Sequence, residues 1–331
     1  MARILVTGAT GFIGSRLVKR LLGDGDGHAV SGMVRDPEKA RPLFASGMRP
    51  VLADVTRELA TLERALTGAE VVFHLAAVTG PAPLARFAAV NVEGTRKLLE
   101  AARRAGVRRF VNVASQAVLF AGKDLVGVDE EAPYPDRYID PYSETKAEAE
   151  RLVLSANQDG FETTSVRPCL VWGAGDTTVL PNFVGLSRGF GIPLPGPGDR
   201  EEATTHVENL VDGLLLAASS PKAPGRAYYI ADGFEVRFRD FLELQLRAVG
   251  VEPKFRRIPY PVAAAVAWLA DVPPRWIGAP VALARFGLRA AVTGRRVRTL
   301  RAREELGYAP RIGLEEGLAD LAADRDRYAR A

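Results

Sequence analysis

The sequence predicts an α/β fold: a doubly wound parallel sheet joined to a smaller, mainly helical C-terminal unit. Three observations carry that expectation. An apolar run, Ile4 to Val6, switches at Phe12 to helical spacing through Ile13, Leu17, Val18, Leu21 and Leu22. Short apolar runs then alternate with helical segments to about residue 230. At 331 residues, 47% hydrophobic and 25% charged, the chain is long enough to bury a large core.

Between the first strand and helix stand Gly8, Gly11 and Gly14. Gly8 lets the chain reverse, Gly11 lets backbone approach a pyrophosphate, and Gly14 lets the helix lie close to the strand. The free N–H groups of the helix N-terminus face the anion. The spacing is GxxGxxG rather than GxGxxG. A strand-to-helix turn of this kind predicts a Rossmann-type dinucleotide-binding domain over 1–175, with 203–231 returning to it. Residues 176–202 and 232–331 are left as a substrate-binding unit.

The second strand, Ala29 to Val34, ends at Arg35 and Asp36, about 20 positions beyond the fingerprint, where a cofactor-choosing residue is expected. An acid there would hold a ribose 2′-hydroxyl, whereas a guanidinium pairs with the phosphate of NADP, so Arg35 favours NADP(H) over NAD(H). The structural alternative is an Arg35–Asp36 surface ion pair. A helix over 37–46 and a strand over 49–52 lead to Asp54 and Val55. Asp54 either meets adenine or begins the next turn.

The fourth strand, Val71 to Leu75, runs into the small residues Ala76 and Ala77, which leave room for a cofactor. His74 sits among apolar neighbours and reads as a packed, hydrogen-bonded histidine rather than a base. Residues 84–105 read as one long helix, with Asn91 either a polar anchor in the site or a surface residue. The fifth strand, Arg109 to Val113, ends at Ser115, and ligands gather at such carboxyl ends.

After an irregular stretch over 116–138, Asp140 supplies an N-cap and Pro141 a first helical residue for a helix to about Asn157. Tyr142 and Lys146 are four apart and share a face. A free phenol has a pKa of about 10; a nearby ammonium and a helix N-terminus favour the phenolate and would suit Tyr142 to proton transfer. A sixth strand over 163–170 holds Arg167, read as an ion-pair partner, and leads to Val171. Residues 176–200 read as a loop over a pocket. His206 reads as a cap for a helix over 210–218, and Arg226 to Ile230 as the last sheet strand.

The net charge of +4 is spread without aromatic interleaving, which gives no case for nucleic acid. No metal-ligand cluster is visible. A single cysteine, Cys169, cannot form an internal disulfide and fits a reducing compartment. The first strand begins at once and no run approaches the length of a span, so a cytoplasmic protein without a signal peptide is expected. Within 261–303, an apolar stretch over 261–269 precedes eight arginines and no acid from 275 to 303. This reads either as a peripheral membrane contact or as a pocket-lining helix with a solvated arginine face, and the second is preferred.

Together these residues resemble the extended short-chain dehydrogenase/reductases, above all the 3β-hydroxysteroid dehydrogenase/isomerase and dihydroflavonol-reductase branch. The marks are the run from Thr7 through Gly8, Thr10, Gly11, Phe12, Ile13 and Gly14; His74 to Ala77; Asn91 to Thr95; Ser115; Tyr142 with Lys146; Arg167-Pro168; His206-Val207; and Glu305 to Pro310. The resemblance implies that Tyr142 is the acid/base, that Ser115 hydrogen-bonds the substrate oxygen, and that Lys146 holds the nicotinamide ribose and lowers the pKa of Tyr142. It implies cofactor contacts from the glycine-rich turn, Asp54, Val55, Ala76, Ala77, Asn91 and Val171. Members of the family that the chain resembles are often dimers.

The expected reaction interconverts a secondary alcohol and a ketone on a hydrophobic small molecule, of steroid, polyketide or β-keto acyl type. A nucleotide-sugar epimerase or dehydratase is the nearest alternative, although Ser115 is followed by non-acidic Gln116 and Ala117. A non-enzymatic cofactor sensor is the alternative from another class.

Overall fold

The structure is a computed structural model that describes residues 2–196, 200–277, 280–281 and 284–329, with side chains outside 271–283. Seven strands form one parallel sheet: β1 (Arg3–Thr7), β2 (Ala29–Val34), β3 (Arg49–Leu52), β4 (Val71–His74), β5 (Arg109–Val113), β6 (Glu162–Pro168) and β7 (Ala227–Ile230). Their order is β7-β6-β5-β4-β1-β2-β3. Strand order reverses between β1 and β4, and a crevice opens at the carboxyl ends of such a pair.

Alternation along each strand builds two cores. Ile4, Val6, Phe73, Val111 and Val166 face one side, where Leu17 and Leu21 of α1 (Phe12–Gly23) meet Leu210 and Leu214 from the helix Val207–Ser219. Leu5, Val72 and Phe110 face the other, against Leu62, Leu98, Leu99 and Val153. Both faces are thereby covered by helices, as a parallel sheet requires.

The expected helix over 84–105 is continuous but not uniform. Leu84–Phe87 and Gly94–Arg104 are α-helical, while Ala88–Glu93 between them is a π turn that contains Asn91. Such turns often mark functional positions.

The expected loop over 176–200 is partly regular. Leu180–Arg188 is a helix and Ile192–Pro195 a strand paired in parallel with Phe255–Ile258. Asp176 starts that helix: its carboxylate accepts from the N–H groups of Thr178, Val179 and Leu180 and from the Thr178 hydroxyl. Leu180 and Val184 then pack against Leu242, Leu246 and Tyr328. Residues 197–199 of the expected loop lie outside the described residues.

Beyond β7 the chain is mainly helical, with Phe238–Ala248, Tyr260–Ile277, Ala284–Val292, Leu300–Leu306 and Leu314–Ala323 as its longer helices. The apolar segment over 261–269 lies in the helix Tyr260–Ile277. Val262, Val266, Trp268 and Leu269 are all more than half exposed to solvent. The flank at 271–283 lies outside the described side chains.

Candidate active site

The glycine-rich turn has little freedom. Gly8 has φ +67°, and a Cβ there would stand 2.9 Å from the Ala76 nitrogen. At Gly14 a Cβ would fall 2.2 Å from the Gly8 carbonyl oxygen. The N-cap of α1 is Gly11, without a side-chain cap and with no acid in the first turn. The helices at 37, 141 and 207 are capped by the side chains of Asp36, Asp140 and His206, whereas those at 59, 180, 238, 300 and 314 lack a side-chain cap as α1 does. The leading N–H groups of α1, from Phe12, Ile13 and Gly14, are therefore presented to an external acceptor, which fits a pyrophosphate.

The wall beside this turn is fixed by a hydrogen-bond chain. The Thr7 hydroxyl accepts from the N–H groups of Leu75 and Ala76 at 3.1 Å each and lies 2.8 Å from His74 Nδ1. His74 Nε2 is 2.9 Å from the Thr95 hydroxyl, which donates to the Asn91 carbonyl at 2.6 Å. The two threonines assign the histidine proton to Nε2. Burial, reinforced by the Lys146 charge, pushes the His74 pKa down to about 3, so the ring is neutral. The packed-histidine reading describes what is seen. Asn91 in turn accepts from the Val78 N–H at 2.7 Å and donates to the Thr145 hydroxyl at 3.0 Å, tying the end of β4 to the helix of Tyr142.

That helix, Pro141–Ser155, begins where Asp140 accepts from the Ser143 N–H at 2.8 Å, with Pro141 at its first position. Its 3.6-residue period sets Tyr142, Lys146 and Glu150 on one side. Lys146 Nζ donates to the Val113 carbonyl at the end of β5, at 2.6 Å, and burial brings its pKa down to about 8. Ser115, two residues past Val113, accepts from the Ala117 N–H at 3.1 Å and faces the Tyr142 phenol, whose pKa it lowers. Tyr142, Lys146 and Ser115 thus converge at the carboxyl end of β5.

One expectation about this group needs correction: the Tyr142 pKa is raised, not lowered. Burial dominates, the Ser115 hydroxyl opposes it only in part, and the Asp140 charge adds to the rise. The Lys146 ammonium is turned onto a carbonyl and does not set the phenol.

Further out, Arg35 does not pair with Asp36. Asp36 caps its own helix by accepting from the Glu38 N–H, and Arg35 Nε lies 3.7 Å from Asp54, with its side chain 66% exposed. Asp54 accepts from the Thr56 N–H and hydroxyl at 2.8 Å each, as an opening residue of a turn does. Val55 packs so close to Gly94 that a Cβ there would lie 2.8 Å from it. Val171 sits in the short strand Leu170–Trp172, which pairs with Thr204–His206 beyond β6. Arg167 is an ion-pair residue: it grips the fully buried Glu150 at 2.9 to 3.1 Å. His206 caps its helix with a pKa held down to about 4 by burial and by Arg16 and Arg311.

Sequence reading missed Phe286. Its ring stands edge-on to Tyr142, with centroids 5.9 Å apart, and to Phe120 at 5.7 Å. Phe286 comes from Ala284–Val292, far along the chain, and no local pattern marks it. The Asn91–Thr145 link was equally hidden, although Thr145 lies between Tyr142 and Lys146.

The chain matches the 3-beta hydroxysteroid dehydrogenase/isomerase family over residues 5–261. It belongs to that family. It is accordingly an oxidoreductase that acts on CH–OH groups with NAD(P). It is 38% identical to the 4-hydroxy-2-methyl-3-oxo-4-farnesyl-3,4-dihydroquinoline-1-oxide ketoreductase of Stigmatella aurantiaca, covering 96% of this chain and 95% of the relative. It is 34% identical to a 3 beta-hydroxysteroid dehydrogenase/Delta 5-->4-isomerase of Mycobacterium tuberculosis, over 97% and 89% of the two chains. Among solved structures, MoeE5 in complex with UDP-glucose and NAD superposes with a TM-score of 0.76 at 26% identity, covering 99% of this chain and all of the other. The family assignment and the bare N-terminus of α1 thus point to the same cofactor class.

Proposed function

We propose that this dehydrogenase-family enzyme reduces a ketone on a hydrophobic substrate, of steroid, polyketide or β-keto acyl type, using NADPH. The convergence of Tyr142, Ser115 and Lys146 at the end of β5 carries the reading. The turn at Gly8 to Gly14 and the Ala76–Ala77 wall would hold the nicotinamide cofactor, which would supply the hydride. The Tyr142 phenol, held protonated by its raised pKa, gives its proton to the substrate oxygen as negative charge develops there. Ser115 donates a hydrogen bond to the same oxygen, and that bond strengthens with the charge. Lys146, with donors left beyond its bond to the Val113 carbonyl, would hold the ribose hydroxyls of a bound cofactor. The raised pKa keeps the phenol in the protonated form from which reduction starts.

Two features support the finer points. Phe286 and Phe120 form an aromatic wall beside the phenol, which suits an apolar substrate. Arg35 projects from the end of β2 with its guanidinium largely exposed, which suits a 2′-phosphate. The test is Tyr142→Phe, assayed by NADPH consumption with a panel of apolar ketones. Turnover is expected to fall by on the order of 10²–10⁴, while NADPH affinity, read by nicotinamide fluorescence, stays as in the parent. Undiminished turnover would remove Tyr142 from the chemistry.

A further inference from the structure

Of the three acids on the helix Pro141–Ser155, Glu144 and Glu148 face solvent and Glu150 is fully buried. Glu150 stands one turn beyond Lys146, as Lys146 stands one turn beyond Tyr142, so the three share a side of the helix. Lys146 and Arg167 are buried as well, at 5% and 2% exposure. Two interior cations thus neighbour one carboxylate.

That carboxylate is held in place. Arg167 Nε donates to its two oxygens at 3.1 and 3.0 Å, Arg167 Nη2 stands 2.9 Å from Oε2, and the Tyr134 hydroxyl donates to Oε2 at 2.8 Å. Lys146 is anchored instead on a neutral group, the Val113 carbonyl, which accepts from an amine or an ammonium alike. The other titratable groups around Lys146 are Tyr142 on its own helix, Asp140 at the cap, His74 from β4, Arg167 from β6 and Tyr134 from the segment before the helix. His74 is neutral, and Asp140 accepts from the Ser143 N–H. The turn Gln116–Leu119 brings no titratable group. On the packed helices Leu84–Phe87 and Gly94–Arg104 and the π turn between them, Arg86, Glu93, Arg96, Arg103 and Arg104 are exposed, while Lys97 and Glu100 bond to Thr56 and Arg104. Burial drives the Lys146 pKa down to about 8, and the Glu150 charge opposes that fall.

We propose that Glu150 is a positioning residue that keeps Lys146 in its ammonium form. A deprotonated Lys146 would have two donors rather than three, one of them committed to Val113, and no charge with which to attract ribose hydroxyls. The Arg167–Glu150 pair alone is electrically complete and would tie the helix to β6 without touching the site. The one-turn spacing is what brings its carboxylate beside Lys146, where an opposite charge favours the protonated amine. The consequence for cofactor binding rests on the ribose role proposed for Lys146.

The test is a pH titration of the full-length protein carrying carbon-13 at lysine Cε, followed by NMR. The chain has seven lysines, and Lys146→Met identifies the signal that belongs to Lys146. Its midpoint is expected near 8 in the parent. In Glu150→Gln it should lie lower by about one pH unit or more. Glu150→Asp, which restores the charge, should recover most of the difference, and Tyr134→Phe, which removes a hydrogen bond but no charge, should titrate as the parent does. Glu150→Gln leaves Arg167 buried without its partner, so Glu150→Gln with Arg167→Met is the second form and should shift in the same direction. An unchanged midpoint in whichever of the two folds overturns the proposal. So does a Tyr134→Phe midpoint as low as that of Glu150→Gln, since packing rather than charge would then set the amine. NADPH affinity, read by nicotinamide fluorescence without substrate, should weaken above the same midpoint in each protein. If the midpoint moves and the affinity profile does not, the ribose role of Lys146 fails while the charge role of Glu150 stands.

Discussion

At the scale of single residues, Arg35 is the position where one side chain would choose between two cofactors. Its nearest acid, Asp54, is 3.7 Å away and occupied by Thr56, so no strong ion pair competes for the guanidinium. A charge-assisted hydrogen bond to a 2′-phosphate contributes on the order of 1.5–3 kcal/mol. Arg35→Ala should therefore raise the KM for NADPH roughly tenfold or more and leave that for NADH nearly unchanged. Steady-state assays with both cofactors measure the ratio, and an unchanged ratio would exclude Arg35 from cofactor choice. Arg35 was legible because its place is counted from the glycine turn. Its real partner was not, because Asp54 approaches it only through the pairing of β2 with β3.

At the scale of elements, the join between β1 and α1 is the least forgiving part of the structure. A methyl group on Gly14 would stand 2.2 Å from the Gly8 carbonyl oxygen and 2.9 Å from its carbon, and backbone on both sides cannot yield as a side chain could. Overpacking of this kind costs about 1–3 kcal/mol, so Gly14→Ala should lower the melting midpoint by several degrees and weaken NAD(P) binding by moving the helix N-terminus. Gly23→Ala, in the last turn of the same helix with open space around it, is the control and should do neither. A Gly14→Ala protein with parental melting and affinity would show that the turn is not the constraint described. This join was readable from sequence because its signals are local: an apolar run, glycines at fixed intervals, then helical spacing. The helix at Leu180–Arg188 was missed because its start depends on four hydrogen bonds to one carboxylate, Asp176, while the neighbouring Pro/Gly-rich segment looks like loop throughout. The aromatic wall at Phe286 was invisible for a different reason, since it forms only when the helix Ala284–Val292 packs over Tyr142.

At the scale of the whole molecule, two buried neutral histidines in different parts of the fold set the response to acid. His74 lies at the cofactor crevice with its pKa held down to about 3, and His206 joins the main sheet to the C-terminal helices with its pKa near 4, both against an ordinary value of 6.5. Between 6.5 and these values the unfolded chain takes up protons that the folded one refuses. Stability is then fully present above pH 6.5 and lost progressively as pH falls toward 4 for His206 and toward 3 for His74. Each site contributes a slope of at most about 1.4 kcal/mol per pH unit. Denaturant midpoints should fall steeply from pH 6 to 4. Replacing one ring by a neutral polar group, as in His206→Gln, should flatten the decline by one proton equivalent even if the midpoint at pH 7 drops. The proton count taken from the slope is thus a better measure than the stability itself. A midpoint that stays level down to pH 4 would mean that both rings accept a proton in the folded state, and His74 Nδ1 would then donate to the Thr7 hydroxyl instead of accepting from it.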